Sequence, residues 1–555
     1  MGGDVLLVVP VVGVVVDGAV VPVGLVVELS SDVVVVVACS ALDVVDAPWL
    51  DGDKLEPQAV SVSATIQPPI TADALFARGI DKGSLPISGP EAKATRLAIL
   101  ATMSPRMGRT DGESGRGTWF AESAWLPEGL ARDVSIECSG GRFTSVVAGT
   151  SPLPGAIRLP GIVFAGFANV HSHAFHRALR GRTHRRGSFW TWRRIMYELA
   201  GRIDPDRYLA LARATYAEMA AAGITTVGEF HYLHHDESGT PYSDPNAMSK
   251  ALIEAASDAG IRVTLLDACY LAGDLAGEGH LPPEGVQLRF ADPGVESWAR
   301  RLSEIPPGRH LVVGAAAHSV RAVPAAALRE VATFGTGRPL HVHVSEQPGE
   351  NAVCKSFYRA TPAQLLADSG MLGPSTTAVH ATHLEPTDVD LLADSGSAVC
   401  FCPTTERDLA DGIGPARLLA DRGVPLCIGT DQHVAIDMLG EAQALEMDER
   451  LASGERARFD MPDLVATLTV NGHKSLGWED AGELRAGWRA DLVALRVDTA
   501  RTAGTSPEQV VVAAASPDVD TVVVDGKVVV SGGNHALGDI GELLTASIAP
   551  LWDEQ

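Results

Sequence analysis

Eight short apolar runs, at 162–170, 225–230, 262–268, 311–316, 339–344, 377–380, 398–402 and 426–429, constrain this chain more than any other feature. Most are separated by Ala- and Leu-rich stretches of helical period. Two of these, 208–222 and 248–259, are followed by Gly223 and Gly260, the residue type that closes a helix in a left-handed turn. Eight strand–helix units over roughly 300 residues are what a (β/α)8 TIM-type barrel requires, and such a barrel builds its active site at the C-terminal ends of its strands. The expectation is that polar residues gather at those ends.

They do. The first run ends in His171 and His173, which as alternate residues of a strand share one face. The second ends in Glu229, His231 and Tyr232, and the fourth in His318 and Arg321. The fifth carries His341, His343 and Glu346, the sixth His380 and His383, and the eighth Asp431 and His433. A lone histidine is usually a satisfied core or surface group. Convergence of six strand ends on one rim favours a site instead. The pair His171/His173, one histidine from the fifth strand and Asp431 form a compact nitrogen and oxygen set suited to zinc or a similar divalent ion.

Outside the barrel, residues 134–138 and 143–147 read as a hairpin around Gly140-Gly141, and 482–495 and 522–530 are again strand-like. Segments so distant in sequence but alike in character predict one small β-sandwich domain built from both ends, 116–160 and 476–535, around a barrel at 161–475. Residues 536–555 are expected to be a tail. The first 115 residues differ: twenty valines lie between Val5 and Val45 with neither helical nor alternating periodicity. Asp17, two prolines and the lack of any Lys or Arg before Lys54 argue against a signal or an anchor, so this stretch reads as an extension outside the functional fold.

A net charge of −25 without a basic patch argues against nucleic acid and anionic membranes as partners. The seven cysteines are scattered and form no C-x-x-C pair, which suits reduced thiols in a cytoplasm.

The strand-end constellation resembles the amidohydrolase superfamily of metal-dependent hydrolases, through His171-Ser172-His173, His343, His380 and Gly429-Thr430-Asp431. The resemblance implies His171, His173, His343 and Asp431 as metal ligands. The fourth strand ends in Ala316-Ala317-His318, without the lysine of binuclear members, so a single ion is implied, with zinc the first expectation. In the mononuclear deaminase branch a glutamate three residues after the strand-five histidine shuttles protons; Glu346 has that spacing from His343. Within that branch the chain is similar to the formimidoylglutamate deiminases. The matching segments are H-S-H-A-F-H-R-A-L-R-G (171–181), S-F-W-T-W-R (188–193), E-F-H-Y-L-H-H-D (229–236), H-S-V-R-A-V (318–323), H-V-H-V-S-E-Q (341–347), V-H-A-T-H (379–383) and T-E-R-D-L-A-D-G-I (405–413).

The reaction implied is hydrolysis of N-formimidoyl-L-glutamate to N-formyl-L-glutamate and ammonia, in histidine degradation. Glu346 is expected to move the proton, His380 to hydrogen-bond the attacking oxygen, and Asp431 to ligate and orient. Arg193 and Arg321 are the natural partners of two substrate carboxylates, with hydrogen bonds from Tyr232 and His318. Phe189, Trp190 and Trp192 are expected to wall the pocket. His176 departs from the family, which has glutamine there for substrate. Two alternatives are a deaminase of a guanine, cytosine or triazine-type ring, which has no use for two arginines, and a silent barrel scaffold, which would have lost Glu346, His380 or Asp431. A homodimer is implied by the family.

Overall fold

The computed structural model describes residues 116–184 and 186–552, and four short strands nearer the N-terminus. The chain divides into two compact units, 1–109 and 110–555. In the first, Val14–Val16 pairs with Ala19–Val21 and Val26–Ser30 with Val33–Val36, both antiparallel. The rest of the expected extension lies outside the described residues.

In the second unit, eight parallel strands form one sheet in sequence order: β1 (Phe167–Ser172), β2 (Ile224–His231), β3 (Arg262–Cys269), β4 (Leu311–Ser319), β5 (Leu340–Val344), β6 (Thr376–His380), β7 (Ala398–Phe401) and β8 (Leu426–Ile428). Hydrogen bonds from the Thr430 and Asp431 amides to the His171 carbonyl, at 3.1 and 2.9 Å, join its two edges. The strands are almost wholly buried, as a sheet covered by helices outside and filled by side chains inside must be. The sequence therefore reads as apolar runs rather than as alternation.

The expected first strand, 162–170, divides between two sheets. Ile157–Ala165 belongs to a separate eight-stranded β-sheet, and β1 starts after Gly166. The Gly166 amide donates to Asp491 O, just before a strand of that other sheet, whereas the Phe167 amide donates to Gly223 O, just before β2. A Cβ at Gly166 would meet the Thr225 side chain at 2.2 Å, so the crossing point has no room for one.

The second sheet draws on both ends of the unit. Gly117–Leu126, Gly129–Ser139, Arg142–Val147 and Ile157–Ala165 precede the barrel, and Leu492–Leu495, Val519–Val524, Lys527–Ser531 and Asn534–His535 follow it. Trp119, Ile136, Phe143, Leu159, Leu492 and Val523 contribute to a core of its own. Buried Arg262, at the start of β3, ties the sheet to the barrel through ion pairs with Asp491 and, at 2.7 Å, with Asp525. The expected tail instead forms a helix, Ile540–Trp552, whose Trp552 indole N–H donates to Ala178 O at 3.2 Å just behind the first strand end. Among the described residues no helix is long and apolar enough to cross a membrane.

Candidate active site

At the C-terminal rim, His171 Nε2 and His173 Nε2 each lie 3.3 Å from Asp431 Oδ1, and His171 Nε2 lies 3.1 Å from His343 Nε2. His171 thus stands between His343 from the fifth strand and Asp431 after the eighth, and all four residues are less than a tenth exposed. β8 approaches β1 this closely because Gly429 has no side chain: a Cβ there would sit 2.7 Å from the His171 amide nitrogen.

The donors are arranged for a cation. The Nδ1 atoms of His173 and His343 lie 2.8 Å from the carbonyls of Phe230 and His318; a carbonyl only accepts, so the proton is on Nδ1 and the Nε2 lone pair faces the cluster. Nitrogen lone pairs 3.1 Å apart repel one another, yet that spacing suits ligands about 2.0–2.1 Å from a common ion. His171, His173 and His343 offer ligand atoms within 4.8 Å of one another, and so do His173, His176 and Asp431. Burial presses His171 down to about 3, which keeps its imidazole neutral. Burial opposes ionisation of Asp431 as well, but its contacts with His171, His173 and His380 hold its carboxyl well below the usual range.

Beside the cluster, His380 lies between two carboxylates, with Nε2 3.8 Å from Glu346 Oε1 and Nδ1 3.3 Å from Glu406 Oε1. Burial disfavours its charge, but Glu346, Glu406 and Asp431 together push it up to about 10. His380 (φ 68°), Ser345 (φ 52°) and Asp431 (φ 40°) all have left-handed backbone. This conformation is uncommon for non-glycine residues and is stored where surrounding structure over-determines it, often at functional sites.

One pocket contains His173, His176, Arg193, Tyr232, His318, Arg321, His343, Glu346, His380 and Asp431, with His171 just behind it. The residues expected as metal ligands, proton carrier and substrate contacts therefore lie at this one rim. His176 Nε2 is 3.0 Å from the Tyr232 hydroxyl. Arg193 donates to the Tyr197 hydroxyl at 2.6 Å and lies 3.6 Å from Asp274. Arg321 Nε donates to Glu350 at 3.2 Å, and its Nη2 is 3.7 Å from Glu346. Phe189 and Trp192 line the pocket, but Trp190 does not: it is 52% exposed and lies under the Arg193 guanidinium from outside.

Other polar strand-end residues fall elsewhere. Glu229 lies behind β1, where it accepts from the Ser172 hydroxyl (2.6 Å) and the Ala174 amide (2.7 Å). His341 shares the inner face with His343 but sits a layer lower, 3.2 Å from Ser475 O. His231 and His234 form a second buried group with Asp267. There His234 Nε2 faces Ala268 O at 3.2 Å, and Arg301 donates to Asp267 at 2.7 Å and Asp292 at 2.8 Å, so an ion-pair network already engages Asp267. Sequence reasoning missed Glu406, Glu350 and Asp274. Glu406 had a signal, since it lies in the 405–413 segment.

Residues 162–529 match the amidohydrolase family model, and residues 118–158 match the model described as the N-terminal domain of formimidoylglutamate deiminase HutF. A formimidoylglutamate deiminase of Pseudomonas aeruginosa is 36% identical over 436 residues, covering 75% of this chain and 95% of the relative. An isoxanthopterin deaminase from an unknown prokaryote is 25% identical, over 73% of this chain and 92% of its own. Among solved structures, an amidohydrolase from Brucella melitensis superposes with a TM-score of 0.73 at 32% identity, covering 78% of this chain and 99% of its own. An adenosine deaminase from Xanthomonas campestris with bound zinc gives 0.67 at 21% identity, over 80% and 98% of the two chains.

Proposed function

The chain belongs to the amidohydrolase family and, within it, to the formimidoylglutamate deiminases; from that premise we propose the roles of its site residues in hydrolysing N-formimidoyl-L-glutamate to N-formyl-L-glutamate and ammonia. The observation that carries the substrate assignment is the presence of two guanidinium groups, Arg193 and Arg321, in the same pocket as the histidine and aspartate cluster. Planar cations of this kind fit two carboxylates, whereas a flat neutral ring has no use for them.

His171, His173, His343 and Asp431 hold one divalent ion, for which zinc is the first candidate on ligand chemistry. When bound, the ion supplies Lewis-acid activation of water. Glu346, at the mouth of the cluster, takes a proton from the attacking water and returns one to the departing nitrogen. His380 stands between Glu346 and Glu406, where it would donate a hydrogen bond to the oxygen as charge develops there. The water oxygen bonds to the formimidoyl carbon, the bond from that carbon to the terminal nitrogen breaks, and ammonia leaves.

Arg321 and Arg193 bind the two carboxylates of the glutamate moiety, with hydrogen bonds from Tyr232, His318 and His176. His176 stands where the family carries glutamine and keeps one hydrogen bond, to Tyr232. The test is ammonia release by the purified holoenzyme from N-formimidoyl-L-glutamate and from guanine. Turnover of the first alone supports the proposal, and turnover of guanine alone overturns it.

A further inference from the structure

We propose that Asp274 is an exchangeable counter-ion that occupies Arg193 in the empty site and is displaced by a carboxylate of the substrate; this rests on the substrate reading above. The two pocket arginines are countered in different ways. Arg321 is paired with Glu350, which is 2% exposed and further fixed by the Ser345 amide, 3.2 Å from its other oxygen. A buried, doubly held carboxylate of that kind stays in place, because leaving it unpaired would cost more than the pair gives. Asp274 has neither restraint. Its side chain is 32% exposed, its nearest oxygen is 3.6 Å from Arg193 Nη1, beyond hydrogen-bond distance, and among the described residues its carboxylate accepts a hydrogen bond from the adjacent Leu275 amide alone. It stands at the start of a small hairpin, Asp274–Ala276 with Gly279–Leu281.

Arg193 itself does not depend on Asp274 for its position. Its Nε donates to the Tyr197 hydroxyl at 2.6 Å, its Nη2 to Gly273 O at 3.4 Å, and its guanidinium lies over the Trp190 and Tyr197 rings. Gln287 braces the same carbonyl from the other side at 2.8 Å. The cation is therefore preorganised, and the one partner held loosely is a carboxylate of the same chemistry as the expected ligand. An ion pair this long, with its carboxylate a third exposed, contributes little to stability, so exchange of one carboxylate for another is nearly neutral in energy. Asp274 would thereby weaken the binding of dicarboxylates, product included, and favour release.

The test measures the dissociation constants of glutarate and N-formyl-L-glutamate by calorimetry on the metal-loaded wild type, Asp274→Asn and Asp274→Ala. The proposal expects both variants to bind both probes five- to twentyfold more tightly, with unchanged metal content. Affinities within twofold of wild type, or weaker, overturn it, since Asp274 would then be inert or would position Arg193. Absence of binding by all three proteins also overturns it. If the variants tighten glutarate while the wild type releases no ammonia from N-formimidoyl-L-glutamate, the substrate reading fails and the counter-ion role stands.

Discussion

Asp431 and His171 are joined twice: the Asp431 amide donates to the His171 carbonyl at 2.9 Å, and Asp431 Oδ1 lies 3.3 Å from His171 Nε2. The contact that joins the last barrel strand to the first is also the contact that assembles the proposed ion site. Fold closure and ligand geometry are thus one feature. Asp431→Asn should therefore lose bound metal, measured by elemental analysis, while the backbone contact keeps the barrel folded by circular dichroism. Full metal retention with wild-type turnover would contradict the assignment.

Gly429 allows that approach. Gly429→Ala forces a Cβ against the His171 backbone, where the nearest atoms are 2.7–2.8 Å away and two are main-chain atoms that cannot swing aside. A destabilisation of at least about 1–3 kcal/mol is expected from overpacking alone, together with weaker metal binding. Chemical denaturation of the metal-free protein separates the two effects.

Arg262 links barrel and β-sheet through Asp491 and Asp525 in a buried network. Removing the cation by Arg262→Met leaves buried Asp491 without its charge partner, while Asp525 keeps Arg309, and should cost about 3–5 kcal/mol. Although burial raises it, the Asp525 carboxyl is held below its ordinary value by Arg262 and Arg309. Its folded pKa is thus below its unfolded one, so its contribution is fully present above about pH 4 and is lost as pH falls through the folded value. Thermal unfolding between pH 6 and pH 2 should show a steeper acid loss for wild type than for Asp525→Asn, and parallel curves would refute the linkage.

His176→Gln restores the family residue and can still hydrogen-bond the Tyr232 hydroxyl. Its kcat/KM should stay within about tenfold of wild type, or ~1.4 kcal/mol, whereas His176→Ala leaves that hydroxyl without this partner in a buried wall and should lose more. Steady-state ammonia assays on both variants decide it.

Strand-end logic made most of the candidate site legible, because a barrel confines functional groups to one rim and the alternation of strand residues placed His171 and His173 together. It could not rank groups by depth: His341 and His343 share a face, and only their height in the barrel separates a neighbour of Ser475 from a neighbour of His171. The division at Gly166 was hidden because the apolar run continues through both sheets. Glu350 and Glu406 lie on helices that follow the strands, and Asp274 on an inserted hairpin, so their approach to the pocket depends on packing that no local pattern records.

The proton-shuttle role of Glu346 is the central chemical claim, and Glu346→Gln tests it most directly. The substitution keeps the size of the side chain 3.8 Å from His380 but removes its capacity to accept a proton. Ammonia release from N-formimidoyl-L-glutamate, with metal content measured on the same sample, should fall by at least a hundredfold, about 2.7 kcal/mol, while the ion is retained. Turnover at the wild-type rate with the metal in place would contradict the account.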